Sequence, residues 1–256
     1  MSLRVLTLNL QRGLDGRTAQ PTDAAGLASA VAGIETDVVA LQEVDRGQPR
    51  SGGQDQARLV ADSLGLAHVR YAATLTGDVR SRARQIPARS GGHPGPAYGV
   101  ALVSRHPVLA WFVLRYPRIR VPLPSWRAGR IARWEDEPRA ALVAVLQTPA
   151  GPVVVCSTHL SLLAPMAAVQ LGRLLRSIDG LAASEPALVC GDLNLDPWAT
   201  RPIARGYHLP AALTFPAATP RRQLDHVLVR GAEVSQVRAR RLPVSDHRAL
   251  AVTVTW

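Results

Sequence analysis

Short apolar runs that end in polar residues constrain the fold of this chain most, and the run at 187–190 is the clearest of them. It stops at Gly191, and Asp192 and Asn194 follow two residues apart. The run predicts a buried strand, and residues i and i+2 of an extended chain point to the same side. The carboxylate and the amide are therefore expected to project together from the carboxyl end of the strand, where α/β proteins commonly place their sites. Such a pair can hold a divalent metal, a water molecule and a phosphate oxygen, although a turn explains the pair taken alone.

Four further runs show the same pattern of an apolar strand that ends in polar residues, and a sixth segment begins with its polar pair. Each polar residue alone has an ordinary explanation, such as a turn-forming asparagine, a surface acid or a strand histidine that finds a partner. All of them together predict that the strand ends meet at one site. The polar residues are Asn9, Glu43, His159, Asp246 with His247, and, at the start of the sixth segment, Asp225 with His226.

Taken in order, these motifs resemble the endonuclease/exonuclease/phosphatase superfamily, which includes deoxyribonuclease I, abasic-site endonucleases, inositol-polyphosphate 5-phosphatases and sphingomyelinases. The resemblance extends from residue 8 to residue 247 and specifies the reaction type better than the substrate. The matching segments are Leu8-Asn9, Leu41-Gln42-Glu43-Val44, Tyr98-Gly99-Val100-Ala101-Leu102-Val103-Ser104-Arg105, Pro138-Arg139, Thr158-His159-Leu160, Gly191-Asp192-Leu193-Asn194, Leu224-Asp225-His226-Val227 and Ser245-Asp246-His247.

The expected fold class is α/β. Many strand-like runs and few helices argue against a singly wound parallel sheet, and the resemblance implies a four-layer α/β sandwich of two mixed β-sheets packed face to face with helices outside. The length fits a single catalytic domain over residues 1–256, although typical domain sizes would also allow two domains in a chain of this length. Helices are predicted at 22–34, 55–65 and 165–183, and strands at 3–8, 38–42, 66–73, 99–104, 108–114, 140–147, 152–158, 187–190, 225–230 and 249–256.

Hydrolysis of a phosphate ester needs a deprotonated water molecule, neutralised charge in the transition state and a stabilised leaving oxygen. A hard cation such as Mg²⁺ or Mn²⁺ supplies much of this when oxygen ligands hold it. The resemblance implies Glu43 as the main metal ligand, with Asn9 and Asp246 completing or supporting the metal environment. Many relatives carry an acidic or polar residue two positions after the asparagine, and this chain has Gln11 there, which weakens the expectation of a second strong metal site.

The resemblance also assigns the proton-transfer and phosphate-contacting residues. Asp192 is expected to orient or deprotonate the attacking water, and Asn194 to hold a phosphate oxygen. His159 and His247 are expected to flank the phosphate, and Asp225 to bond His247, fix its tautomer and raise its pKa. The general base stays open, and so does the carboxylate that supports the first histidine in deoxyribonuclease-like members.

The chain is strongly basic, with a formal net charge of +11 and with arginine at all 30 basic positions. Arginine binds phosphate oxygens in bidentate geometry and keeps its charge. By resemblance, Arg139 faces the phosphate, and Tyr98 is a second substrate-binding candidate for which packing is the alternative. Other arginines cluster at 80–89 and 115–133, where they form either a solvated surface or a rim that binds a polyanion.

Three functions stay open from the sequence. The positive charge favours a metal-dependent phosphodiesterase or endonuclease that acts on nucleic acid. The alternative is a phosphatase or phosphodiesterase that acts on a phospholipid, a phosphoinositide or a small phosphate ester, because Trp126 and its neighbouring arginines suit a lipid headgroup equally well. A non-catalytic nucleic-acid-binding protein is disfavoured, because binding alone does not require two histidines and four polar metal or water ligands.

Compartment and redox state follow from what the sequence contains. It has no apolar run of the length of a membrane span and no signal-peptide pattern at its start, so we expect a cytoplasmic protein, for which peripheral contact with lipid stays open. We also expect a monomer. Cys156 and Cys190 lie inside apolar strands and are predicted to be buried reduced thiols. No Cys–His spacing indicates a zinc site.

Overall fold

Two mixed β-sheets lie face to face in the computed structural model, which describes residues 2–79, 86–88, 95–116, 124–127, 130–133, 136–182 and 185–256. The strands are β1 (Ser2–Asn9), β2 (Val38–Arg46), β3 (His68–Thr76), β4 (Ile86–Pro87), β5 (Ala97–Ser104), β6 (Val108–Arg115), β7 (Pro124–Arg127), β8 (Arg130–Arg133), β9 (Ala140–Thr148), β10 (Gly151–His159), β11 (Ala187–Asp192), β12 (Asp225–Arg230), β13 (Glu233–Arg240) and β14 (Ala249–Thr255). The α-helices are α1 (Ala24–Val31), α2 (Gln56–Leu64), α3 (Ala164–Asp179) and α4 (Pro197–Thr200), and short 3₁₀ helices lie at Gln11–Gly13 and Pro49–Ser51.

Each sheet contains one parallel pair of strands among antiparallel neighbours. The seven-stranded sheet has the order β13-β14-β1-β2-β5-β3-β4, in which β1 and β2 are parallel. The five-stranded sheet has the order β12-β11-β10-β9-β6, in which β10 and β11 are parallel, and β7 pairs with β8 in a separate ribbon. Parallel neighbours end at the same edge of a sheet, so Asn9 lies beside Gln42 and His159 beside Asp192.

Three large apolar clusters build the layers. The first lies between the sheets and combines residues such as Val5 and Val38 of one sheet with Leu142 and Leu188 of the other. The second packs α1 and α2 on the outer face of the seven-stranded sheet, and the third packs α3 on the outer face of the five-stranded sheet. Strands covered on both faces must be apolar on both sides, which explains their continuous apolar runs. The predicted four-layer sandwich is confirmed.

The three predicted long helices are present and end where their capping residues place them. Asp23 and Asp55 each accept a backbone N–H of the first turn, so α1 and α2 begin one residue later. The second helix ends at Gly65 in a left-handed conformation. The third helix has a proline in its first turn and buries Leu171, Leu174, Leu175 and Ile178 against the sheet, as their spacing predicted. Of the helices in the described ranges, none has the length and apolar character needed to cross a bilayer.

The observed strands differ from the predicted ones most clearly at three places, and the short strands β4, β7 and β8 were not predicted either. The apolar run that precedes Asp246, residues 242–245, is one of the four further runs expected to be strands. It forms only one isolated bridge, between Asp15 and Val244, and is otherwise a loop before His247. The second strand does not stop at Gln42 but continues through Glu43 to Arg46. The strand β13 was missed because an edge strand with an exposed, arginine-rich face has no apolar run to detect. The arginine cluster at 80–89, and the side chains of 117–133, fall outside the described residues.

Gly191 brings β10 and β11 closer together than a side chain would permit. Its φ is +150°, and a Cβ placed on it would lie 1.9 Å from the carbonyl oxygen of Thr158. Only glycine accepts both the conformation and the contact. The close approach sets the position of Asp192, the next residue, at the edge where the parallel pair ends.

We expect Gly191→Ala to lower the free energy of unfolding by about 2 kcal/mol or more, because backbone on the neighbouring strand must shift to admit the methyl group. Gly172→Ala is the matched control, because the new Cβ on α3 would meet only ordinary contacts at 3.6 Å and 3.7 Å. A helix interior favours alanine over glycine by up to about 1 kcal/mol, so the control should be neutral or stabilising. Urea unfolding measures both changes, and an unchanged midpoint for Gly191→Ala would contradict this prediction.

Candidate active site

The ends of β1, β10 and β11 and the start of β12 bring most of the predicted site residues together. Asn9, His159 and Asp192 are the last residues of their strands, Asp225 is the first residue of β12, and His247 lies in the loop before β14. These side chains come from both sheets, and packing the sheets face to face places them at one end of the sandwich.

Asn9 connects the two sheets at this end. Its Nδ2 donates hydrogen bonds to Glu43 Oε1 at 3.2 Å and to Asp192 Oδ2 at 3.0 Å. Its Oδ1 accepts the backbone N–H of Gln11 at 3.0 Å. One buried nitrogen thus brings together a carboxylate from each sheet, with the amide oxygen turned away from both.

Glu43 reaches the site because its strand bulges. The register between β2 and β5 shifts between Leu41 and Val44, and Glu43 has a φ of +53°. A non-glycine residue in the left-handed region costs free energy that its surroundings must offset. The bulge leaves the carboxylate half-buried beside Asn9, with one hydrogen bond from that amide.

Asp192 lies at the centre of the cluster. Its Oδ1 accepts the backbone N–H of Asn194 at 3.0 Å, and its Oδ2 lies 3.6 Å from His159 Nε2 and 3.8 Å from His247 Nε2. Burial and the charge of Asp225 raise the pKa of Asp192 to about 7, against the opposing effects of His247 and the hydrogen bond from Asn9. A carboxyl group with this pKa can bind or release a proton near neutral pH.

His247 forms a short, buried hydrogen bond with Asp225. Its Nδ1 lies 2.8 Å from Asp225 Oδ2, and its ring packs against Phe215 at 4.8 Å between centroids. Burial alone would lower the pKa of His247, but the charge and hydrogen bond of Asp225, together with the charges of Asp192 and Asp246, outweigh burial and raise the pKa to about 10. Phe215 belongs to the same segment as Thr214, whose Oγ1 accepts the backbone N–H of Asp225 at 3.2 Å.

His159 has the opposite protonation preference. Burial lowers its pKa well below the ordinary value, and the charges of Arg139 and His247 lower it further. Its ring makes no hydrogen bond to any residue that the structure describes, and the nearest carboxylate is that of Asp192. The supporting carboxylate known from deoxyribonuclease-like members is therefore not found within the described part of the chain.

Asn194 and Asp246 lie at the edge of the cluster rather than in its centre. Asn194 has a φ of +52°, and its Nδ2 donates to the carbonyl oxygen of Leu160 at 3.0 Å. This bond holds the loop after β10, so one amide proton is already engaged. Asp246 has a side chain that is 47% exposed, and its backbone N–H donates to Gln11 Oε1 at 3.1 Å. Gln11 therefore supports the loop that carries Asp246.

Arg139 and Tyr98 lie close to Glu43 but deeper in the protein. Arg139 pairs with Asp136 Oδ1 at 3.4 Å, and its Nε is buried with no hydrogen-bond partner among the described residues. Burial lowers the pKa of Arg139, and the charge of Glu137 and other acids more than offsets this effect. Burial raises the pKa of Tyr98, and the charge of Glu43 raises it further.

A buried chain of hydrogen bonds that the motifs did not reveal links the two sheets just inside the site. Thr7 Oγ1 donates to Gln42 Oε1 at 3.3 Å, and Gln42 Nε2 donates to Ser157 Oγ at 3.2 Å. Ser157 Oγ donates in turn to the carbonyl oxygen of Leu41 at 2.9 Å. Each of the three side chains lies one or two residues before a predicted site residue, so polar residues inside otherwise apolar strands were the available signal.

Ser245 performs a similar supporting task for the histidine loop. Its Oγ donates to the carbonyl oxygen of Asn9 at 2.6 Å and accepts the backbone N–H of His247 at 3.0 Å. The two predicted thiols, Cys156 and Cys190, are buried and free, as expected. They lie in different apolar clusters on opposite faces of the five-stranded sheet.

Comparison with known proteins agrees with this geometry. The profile of the Endonuclease/Exonuclease/phosphatase family matches residues 6–247. A comparison with curated proteins found no match.

Solved structures share the fold at low sequence identity. An endonuclease/exonuclease/phosphatase from Beutenbergia cavernae DSM 12333 is 24% identical with a TM-score of 0.67, over 99% of this chain and 71% of that chain. A functionally unknown conserved protein from Enterococcus faecalis V583 is 17% identical with a TM-score of 0.68, over 99% of each chain. TDP2 from Caenorhabditis elegans is 16% identical with a TM-score of 0.66, over 100% of this chain and 75% of that chain. The profile match over nearly the whole chain, carried on this fold, shows that the protein belongs to the endonuclease/exonuclease/phosphatase family.

Proposed function

We propose that this protein is a divalent-metal-dependent hydrolase of phosphate esters, that its substrate is a phosphodiester of nucleic acid, and that residues 1–256 act as one catalytic domain. Members of the family generally hydrolyse phosphoester bonds, which supports the reaction class. The observation that carries the proposal is the grouping of Glu43 and Asp192 around one amide, beside two histidines with opposite protonation preferences.

The metal-binding role belongs to Glu43, with Asn9 and Asp246 in support. The Glu43 carboxylate is half-buried and accepts one hydrogen bond, so lone pairs remain for a hard cation. The exposed carboxylate of Asp246 lies 4.0 Å from His247 Nε2, at the rim of the cluster. Rotating the Asn9 amide would present its oxygen instead of its nitrogen. This all-oxygen set suits Mg²⁺ or Mn²⁺, which in the bound state would stabilise negative charge on the phosphate oxygens.

A second set of possible ligands is better assigned to proton transfer. Asp192, Asp225 and His247 offer ligand atoms within 4.8 Å of one another. However, the Nδ1 of His247 is occupied by Asp225, and the raised pKa keeps the ring protonated at neutral pH. A protonated imidazole cannot be a metal ligand, because both ring nitrogens carry hydrogen.

The protonation states assign a different role in catalysis to each side chain. Asp192, with a pKa of about 7, can orient the attacking water and accept its proton. His247 carries a proton on Nε2, and the 3.8 Å gap to Asp192 leaves that proton available for a phosphate oxygen. His159 is neutral and can donate one hydrogen bond to the same phosphate. The buried guanidinium of Arg139 adds positive charge behind Glu43 and His159.

The charge of the chain supports nucleic acid as the substrate class. A net charge of +11 attracts polyphosphates, whereas a small diester with a single negative charge gains much less from it. A phospholipid or phosphoinositide headgroup is the second candidate, because the sequence of the ribbon β7–β8 has Trp126 followed by Arg127, Arg130 and Arg133.

Metal dependence is the first test of the proposed function. Hydrolysis of plasmid DNA, RNA, inositol phosphates, sphingomyelin and a chromogenic diester is assayed with Mg²⁺ and with EDTA. We expect hydrolysis of nucleic acid and of the chromogenic diester that vanishes in EDTA and returns with Mg²⁺ or Mn²⁺. Glu43→Gln should raise the Mg²⁺ concentration at half-maximal rate at least about tenfold, because a neutral amide replaces the anionic ligand.

The exposed substitution Glu233→Gln on β13 is the matched control and should leave the Mg²⁺ requirement unchanged. Full activity in EDTA, or rescue by zinc alone, would contradict the proposal. A preference for sphingomyelin or inositol phosphates over nucleic acid would retain the hydrolase and replace its substrate class.

The pair of His247 and Asp225 provides a second test. We expect His247→Ala to lower kcat at least about 100-fold, the usual scale for a positioned acid or base. Asp225→Asn should act through His247, so the double variant should be scarcely slower than His247→Ala alone. Asp179→Asn, which removes the ion pair with Arg230, is the control and should keep the wild-type rate. Independent losses that multiply in the double variant would separate the two residues.

A further inference from the structure

Trp198 is the most exposed large apolar side chain among the described residues, with 77% of its surface accessible to water. It lies on the short helix α4, six residues after Asp192 along the same segment. A tryptophan this exposed gains nothing from packing, because most of its apolar surface stays in water. Its position therefore suggests a contact with another molecule close to the site.

Two connections hold α4 in place relative to the candidate site. Arg222 binds Asp196, the residue that precedes α4, through two hydrogen bonds of 2.8 Å and 3.1 Å. The backbone of Arg222 also forms an antiparallel bridge with the backbone of Phe215, and the Phe215 ring packs against His247. Trp198 is thus linked to the site through Asp192 on one side and through His247 on the other.

Two exposed arginines lie on the segments that carry Trp198 and hold α4 in place. Arg201 follows Trp198 by three residues in helical conformation, a spacing that places two side chains on the same face. Arg221 precedes the paired Arg222 in the neighbouring segment. Both Arg201 and Arg221 are exposed, and neither forms an ion pair with a residue that the structure describes, in contrast to Arg50 and Arg230, which pair with aspartates.

We propose that Trp198, Arg201 and Arg221 form a strand-binding surface for unpaired nucleotides of single-stranded nucleic acid. A base stacks on Trp198, while flanking phosphates contact the two arginines. An exposed aromatic ring, with exposed arginines on its own segment and on the segment that holds its helix, suits a ligand in which bases alternate with phosphates. The inference deepens the proposed function, because it names the form of nucleic acid that the same site would receive.

Contact with a lipid bilayer would involve other side chains of this region besides Trp198. Two leucines on adjoining loops, Leu162 and Leu213, are 60% and 49% exposed. Insertion into lipid would use these leucines together with Trp198, whereas base stacking depends on the aromatic ring. Substituting the leucines therefore distinguishes the two occupants.

The test measures binding of the full chain to fluorescein-labelled twelve-residue oligo-dT in EDTA, so that hydrolysis does not interfere. We expect Trp198→Ala to weaken binding at least about fivefold, the lower end for loss of one stacked base, and Trp198→Phe to restore most of the affinity. Arg201→Gln with Arg221→Gln should reduce the slope of log K against log salt by about 1.4, because two phosphate contacts release fewer counterions.

Matched controls are Trp111→Ala, on the edge strand β6 and 48% exposed, and the exposed pair Arg58→Gln with Arg238→Gln. These controls should keep the affinity for oligo-dT. Unchanged binding in Trp198→Ala, or the same salt slope in both arginine double variants, would overturn the inference. The inference would also be overturned if Trp198→Ala, and likewise the double variant Leu162→Ser with Leu213→Ser, weakened binding to phosphatidylglycerol vesicles but left binding to oligo-dT unchanged.

The experiments distinguish a failure of the strand-binding surface from a failure of the proposed hydrolase activity. The strand-binding surface is judged by binding in EDTA, where no hydrolysis is needed. The proposed hydrolase is judged by wild-type turnover of the chromogenic diester with Mg²⁺, which depends on no residue of that surface. If the wild-type protein binds oligo-dT but does not turn over the chromogenic diester, the proposed hydrolase activity is ruled out and the proposed strand-binding surface stands.

Discussion

The hydrogen bonds from one buried amide, that of Asn9, hold the whole site together. Its nitrogen lies between Glu43 on the seven-stranded sheet and Asp192 on the five-stranded sheet. Two carboxylates brought this close repel each other, and a shared donor lowers that cost without adding charge. Behind it, Gln42 spans the same gap to Ser157. A buried glutamine is costly unless its bonds are satisfied, so these contacts also fix how the sheets align.

The two neighbouring acids of β11 and β12 differ in their contacts with His247. Asp192 and Asp225 lie opposite each other in the ladder, and His247 bonds closely only to Asp225. The charge and hydrogen bond of Asp225 stabilise the charged imidazole, and the charge of Asp225 raises the pKa of Asp192. The raised pKa of Asp192 allows this acid to exchange protons near neutral pH, while Asp225 holds the histidine in its charged form.

Backbone strain is concentrated around this cluster. Six non-glycine residues of the described chain have positive φ, and four of them belong to the site or support it, namely Gln11, Glu43, Asn194 and Ser245. Such conformations cost about 1 to 3 kcal/mol each and persist only where packing enforces them. Hydrogen bonds from Asn194 to the carbonyl oxygen of Leu160 and from Ser245 to that of Asn9 help to hold two of these conformations.

Sequence patterns determined the strands that are buried on both faces, the amphipathic helix α3 and the residues that end β1, β10 and β11, because periodicity and abrupt changes in polarity are local properties. They did not determine the bulge at Glu43, the loop that replaces a strand before His247, or the edge strand β13, because each depends on a neighbouring strand. The orientation of the Asn9 amide and the bridge from Gln42 to Ser157 were decided only by the tertiary structure. Both arise where two sheets meet, and no single stretch of sequence contains that contact.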